Sequence, residues 1–218
     1  MSGTDCPSSN QEMRFSYTQI AKLAPCSYEQ FNGKQQGDYT YEDYLALPED
    51  IRVELIDGVF CDMPVPPLVH QSILLALYAQ FLPCINVHPE CHFYISPIDV
   101  RLDRDERTVV QPDIAVICDR SLLEGRYVWG APDFIIEVLS PSTRRKDMFI
   151  KNNKYLNAGV KEYWMVDIDA RRIMVYVFGE APIITTYTFD DTVPVAISDG
   201  ECLIDFKKVY DKIRFYFE

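Results

Sequence analysis

The sequence predicts an α/β fold of the α+β kind, a mixed and mostly antiparallel central sheet flanked by helices. Two observations carry this. The periodic segments run in mixed order (helix, hairpin, long helix, several strands, helix, hairpin) rather than in βα alternation. The run Phe134 to Leu139 is apolar except for Glu137, which suits a strand buried on both faces.

The chain has 218 residues, of which 48% are hydrophobic and 25% charged. That is ordinary globular composition, enough for one domain with a sizeable core. Residues 1–38 are of mixed polar composition and read as an N-terminal extension that packs on the domain or frays. A boundary near Gly37 leaves residues 39–218 as the domain. No apolar run is read as a membrane span and no basic-plus-apolar leader opens the chain, so a soluble, cytoplasmic protein is expected. Seven cysteines, an odd number without a CxxC pair, read as free thiols in a reducing compartment rather than as a disulfide framework. The net charge of −12 argues against nucleic-acid binding by the whole surface, though not by a local cleft.

The elements follow in order. Within the extension, only Phe15 to Leu23 has a helical pattern. Tyr39 to Leu47 reads as a short helix with Thr40 as N-cap and Glu42 and Asp43 in the first turn, where acids favour the helix dipole. Arg52 to Phe60 reads as two strand halves around Asp57-Gly58, a strong hairpin signal. Glu54 stands mid-strand on the face of Ile56. Pro64 to Pro67 breaks the chain before a long helix, Leu68 to Leu82, whose apolar residues fall at i, i+3, i+4 spacing. Cys91 to Leu102 reads as one strand, with Pro97 marking an edge or a bulge, and the segments 108–110 and 114–117 as another around Pro112-Asp113. Ser121 to Gly130 reads as a loop. Asp147 to Ala158 is a helix closed by Gly159. Glu162 to Asp167 and Arg172 to Phe178 form a hairpin, Ile183 to Phe189 a further strand, Val193 to Ile197 a short one, and Phe206 to Phe217 a final helix or strand.

The chemistry concentrates between Gln111 and Lys154. Side chains alternate along a strand, so Asp113 shares a face with Ala115 and Ile117, and Glu137 with Ile135 and Leu139. Were the two strands neighbours, the acids would converge. Paired carboxylates repel unless a cation or a proton lies between them. A hard cation such as Mg²⁺ accepts two carboxylates, a backbone carbonyl and waters. It can polarise a phosphodiester and activate a water. A nearby lysine would complete such a site. Asp147, Lys151 and Lys154 fall at i, i+4, i+7, with Lys151 and Lys154 as the candidates.

Pro112-Asp113, then Glu137 to Thr143, then Asp147, Lys151, Tyr155, Gly159-Val160 and Glu162-Tyr163-Trp164 resemble the Uma-two family of restriction-endonuclease-like proteins. The helix at Thr40 to Leu45 and the Glu54 to Gly58 hairpin are similar to that family's opening, so the resemblance spans roughly 39 to 180. It implies a restriction-endonuclease-like core of the PD-(D/E)XK nuclease superfamily. It also implies Mg²⁺ (or Mn²⁺) dependence and phosphodiester hydrolysis, with DNA as the expected substrate. In that pattern Asp113 matches the first acid and Glu137 the second. Val138 supplies a backbone carbonyl to the metal, and Glu54 is an additional acid. The lysine usually found two residues after the second acid is Leu139 here, and Lys151 on the following helix matches the family's lysine. The expected catalytic set is therefore Glu54, Asp113, Glu137 and Lys151, with Asp113, Glu137 and the Val138 carbonyl as metal ligands. A homodimer is expected, because cutting both strands needs two sites.

Simpler readings stand beside these. Asp113 alone reads as a turn residue, and Glu137 as half of a buried ion pair with Arg144 or Lys151. Glu54 could pair with Arg52 at the surface. The basic residues between Arg144 and Lys161 could form a solvated face. His70 near a helix start reads as a surface or capping residue, with a place on the cleft wall as the lesser alternative. Cys84, His88, Cys91 and His92 do not have a usual zinc spacing. The alternative function is a catalytically inactive restriction-like fold kept as a nucleic-acid-binding or assembly protein. Two-carboxylate glycoside hydrolysis ranks last.

Overall fold

The computed structural model describes residues 14–218. Of the sequence-based readings, Cys6 and the start of the N-terminal extension lie outside the described residues.

A short helix α1 (Tyr17–Ala21) is closed at its N-terminus by a capping box between Ser16 and Gln19. The strands β1 (Gln30–Phe31) and β2 (Lys34–Gln35) form a small hairpin, and α2 (Tyr41–Leu45) follows Thr40 as N-cap. The expected hairpin is present as β3 (Val53–Ile56) and β4 (Val59–Asp62). Asp57 and Gly58 both take positive φ at its turn, as a tight two-residue hairpin requires. A Cβ on Gly58 would lie 2.7 Å from the Gly37 carbonyl oxygen, so glycine is needed there for space as well as conformation.

Helix α3 (Leu68–Val87) runs 20 residues, past Leu82. Its mean hydropathy of 1.5 makes it long and apolar enough to cross a membrane by length and composition alone, which corrects the expectation that no segment reaches that length. In this fold Ile73, Leu74, Leu77 and Phe81 are buried against the sheet.

The region expected to form one strand at Cys91 to Leu102 is two, β5 (His92–Ile95) and β6 (Asp99–Arg101), which join different sheets. Next comes β7 (Ile114–Ile117). Residues 108–110 are not part of it; they bridge outward, Leu55 to Val109 and Val100 to Val110. The expected loop at 121–130 holds two short strands, β8 (Leu123–Glu124) and β9 (Tyr127–Trp129), which pair with each other and with β6.

The central strand β10 (Phe134–Leu139) is followed by a π-helical turn, Lys146–Lys151, and by α4 (Asn152–Ala158). The expected single helix is thus two helical types in series, and it ends as expected at Gly159, which is left-handed. The remaining strands are β11 (Glu162–Asp167), β12 (Arg172–Val177), β13 (Ile183–Thr188), β14 (Thr192–Pro194) and β15 (Leu203–Asp205). The C-terminal segment is helical, α5 (Phe206–Ile213).

The central sheet has the order β13-β12-β11-β10-β7-β5. Only β10 and β11 pair in parallel, and every other neighbouring pair is antiparallel. This is the mixed, mostly antiparallel sheet expected. Alternation along β10 divides the core in two. Phe134, Ile136 and Val138 face Trp164, Val166, α3 and α5. Ile135 and Leu139 face Tyr163, Met165, Ile150, Tyr155 and, from α1, Ile20.

The cysteines differ from expectation. Cys84 is bonded to Cys202 and Cys91 to Cys118, leaving Cys26 and Cys61 as the free thiols among the described residues. The spacing concealed this because α3 and β7 bring each pair together from 118 and 27 residues apart. The argument from free thiols to a reducing compartment therefore loses its basis. Among the described residues, no group of three or more His, Cys, Asp or Glu is arranged to hold a metal, and Cys84 and Cys91 are not zinc ligands.

Candidate active site

The site forms where β7 begins and β10 ends. The antiparallel register sets Ile114 opposite Ile136. One step further, Asp113 comes opposite Glu137. Ala115, Ile117, Ile135 and Leu139 lie in one core layer, so Asp113 and Glu137 project from that same face. Both line a cleft of about 350 Å³ together with Glu54, His70, Val138, Lys146, Asp147 and Lys151.

Each of the two acids has one oxygen pinned. Asp113 Oδ2 accepts from the Val138 backbone N–H at 2.8 Å and faces His70 Nε2 at 3.0 Å. Glu137 Oε1 accepts from the Tyr155 hydroxyl at 2.7 Å and touches the Lys151 ammonium. No donor among the described residues bonds Asp113 Oδ1 or Glu137 Oε2. A strand residue's N–H and C=O point to the same edge. The Val138 carbonyl is therefore turned toward Asp113, beyond the last β7 pairing.

Glu54 is brought to the same cleft from β3, fully buried. Its neighbours are not the surface Arg52. Oε1 accepts from Lys151 at 2.8 Å and from the Gln111 backbone N–H at 2.9 Å. Oε2 makes an ion contact of 2.5 Å with Lys146 that is not aligned as a hydrogen bond. Burial opposes this charge, but the two lysines outweigh it and hold the Glu54 carboxyl down to about 2. Both Glu54 oxygens are thus occupied, and the residue fixes lysines instead of presenting a free ligand.

Four carboxylates (Glu54, Asp113, Glu137, Asp147) surround two ammonium groups (Lys146, Lys151), and that imbalance shows in the protonation equilibria. Burial pushes Glu137 well above the ordinary carboxylate range. Lys151 opposes this, while Asp147, Asp113 and Glu54 add to it. Burial likewise raises Asp147 against the pull of the two lysines. Burial would lower Lys151, but Glu137, Glu54 and Asp147 outweigh it and keep the ammonium charged. Burial and the Glu137 carboxylate raise Tyr155, so its hydroxyl stays a donor.

Most of the basic segment is engaged in such pairs, while Arg145 is exposed. Arg144 forks onto Asp167, Lys154 bridges Asp57 and Asp103, and Lys161 reaches Asp133 at 2.6 Å. Of the two candidate lysines only Lys151 enters the cleft. Leu139 is buried in the core and could not present a polar group there.

The family model described as "Putative restriction endonuclease", Uma2, matches residues 41–198. The chain belongs to the Uma2 family. No curated protein matches it. Among solved structures, the chain is similar to the crystal structure of "a putative nuclease belonging to DUF820" from Anabaena variabilis. The TM-score is 0.65 at 22% identity, over 80% of this chain and 98% of that one. At that identity the likeness speaks for the fold. The Uma2 match takes in all four expected site residues and stops short of β15 and α5.

Sequence reasoning for this Uma2 protein missed three cleft residues. His70 was read as surface or capping, yet it is 6% exposed and turned inward. Lys146 reads in the sequence as part of a basic run, and Asp147, on the stripe of Lys151 and Lys154, carries no role at the site there. The signal available for Lys146 was its five-residue distance from Lys151, which shares no face on an α-helix but does on a π turn.

A divalent metal fits these residues by donor chemistry. The two oxygens left unpaired, on Asp113 and Glu137, are hard ligands beside a backbone carbonyl. The surplus of carboxylates over ammonium groups supplies the negative charge that a cation would neutralise.

Proposed function

We propose that this Uma2 protein is a Mg²⁺- or Mn²⁺-dependent endonuclease that hydrolyses phosphodiester bonds of DNA. The observation that supports this best is the matched pair of acids. Asp113 and Glu137 each have one oxygen held by the fold and the other left to the cleft, next to a buried, charged lysine.

In this reading Asp113, Glu137 and the Val138 carbonyl would hold the cation. When bound, it would polarise the phosphodiester and activate the attacking water. Lys151 places fixed positive charge beside the reacting phosphate and orients the water. Glu54 acts through Lys146 and Lys151, holding both in place. Tyr155 fixes the orientation of the Glu137 carboxyl. Cutting both strands of a duplex requires two such sites, which a homodimer supplies.

Nicking of supercoiled plasmid in Mg²⁺ or Mn²⁺ is the test. Wild type should nick, and Glu137→Ala and Asp113→Ala should not. Activity that survives Glu137→Ala would sink the proposal. Wild-type inactivity on every nucleic acid would favour the second reading, a fold retained for binding or assembly. The engagement of Lys151 by two carboxylates is the feature that favours that reading.

A further inference from the structure

We propose that His70 is the positioning residue for Asp113, holding its carboxylate so that Oδ1 faces the metal. This rests on the reading of the site given above. His70 sits in the first turn of α3, directly after the proline-rich lip at Pro64 to Pro67. Its Nε2 lies 3.0 Å from Asp113 Oδ2. A carboxylate offers only acceptors, so Nε2 carries the hydrogen and donates it. The other ring nitrogen, Nδ1, is buried with no partner. Burying an unpaired ring nitrogen is unfavourable. The ring is therefore kept inward for what Nε2 does and not for a saturated structural network.

The Val138 N–H donates to the same oxygen from β10. Two donors converging on Oδ2 leave Asp113 one orientation and commit Oδ1 to the cleft. The histidine thereby couples α3 to the start of β7 at the metal-facing acid. Groups that orient a metal's ligands in this way typically change metal affinity by about 10–100-fold when removed.

The experiment is Mn²⁺ titration of the full chain by calorimetry, with the thermal midpoint of the metal-free protein read in parallel. His70→Gln keeps an N–H donor near the Nε2 position, whereas His70→Phe keeps the ring's bulk without the donor. The expected result is a drop in Mn²⁺ affinity of about 10–100-fold for His70→Phe, with His70→Gln close to wild type. Equal affinity for wild type and His70→Phe would overturn the inference. So would an equal loss in both variants accompanied by an equal fall in thermal midpoint, since packing alone would explain that. Undiminished Mn²⁺ binding by Asp113→Asn would instead overturn the site reading, and this inference with it.

Discussion

Lys151 Nζ lies 2.8 Å from Glu54 Oε1 across a sequence separation of 97 residues. Lys146 reaches the other oxygen of the same carboxylate. The β3–β4 hairpin is thereby fastened to the π turn at the floor of the cleft. Removing one partner of a buried ion pair leaves uncompensated charge and costs about 3–5 kcal/mol. Glu54→Ala should destabilise by that order in urea denaturation, because it takes the carboxylate from buried Lys146 and leaves Lys151 to Glu137 and Asp147. An effect below about 1 kcal/mol would mean that the lysines find other partners.

Acid should act through the same carboxylate. The folded Glu54 carboxyl titrates at about 2, below its ordinary 4.5. Its stabilising contribution is therefore full above about 4.5 and is lost as pH falls toward 2. Glu54→Gln should flatten the acid limb of the stability–pH curve in that window.

Glu137 has the opposite sign. Its folded value lies above 4.5, so its contribution is full below 4.5 and is lost as pH rises through the elevated value. In metal-free protein, Glu137→Gln should gain stability relative to wild type as pH rises, which thermal melts across the pH range would show. A constant difference between the two curves would contradict the raised carboxyl.

Metal binding should show the same proton. A ligand that is protonated must release its proton to the buffer when a cation binds. Mn²⁺ affinity should therefore rise with pH above the ordinary carboxylate range, with proton release detectable as a dependence of calorimetric heat on buffer ionisation. Affinity independent of pH, with heat independent of the buffer, would show that Glu137 does not exchange its proton for the metal.

The Cys84–Cys202 bond ties α3 to the segment before β15, 118 residues away. Cross-links of this kind contribute about 2–4 kcal/mol. The thermal midpoint should fall when reductant is added, and a Cys84→Ser, Cys202→Ser double variant should lie between the oxidised and the fully reduced protein.

Much of the site was legible because strand chemistry is local. Glu137 inside an apolar run declares an acid that needs a partner, whereas Asp113 alone reads as a turn residue and joins the site through the alternation of its strand and the family pattern. The Asp57-Gly58 turn was equally plain, since its two positive φ values restrict the residues that fit. The hidden parts were long-range. No periodicity reveals that Glu54 meets a lysine 97 residues later, or that His70 turns inward to Asp113. Cysteine spacing was silent on the two bonds because the sheet order, not the sequence distance, brings the partners together. The split of Cys91 to Leu102 into two strands has one local sign, Pro97, but that its halves pair with different sheets does not show in the sequence.

The π turn at Lys146–Lys151 holds one residue more per loop of backbone than an α turn does, closing from Asn152 N–H to the Asp147 carbonyl. Side chains beyond it are phased by that extra residue, Tyr155 toward Glu137 and Lys154 toward Asp57 and Asp103. Deleting a single position inside the turn would rotate the downstream side chains by about 100° around the helix axis. Every side chain named at the site could then remain in the sequence while the cleft came apart. At this turn the protein should tolerate many substitutions of its solvent-facing residues and no change of length.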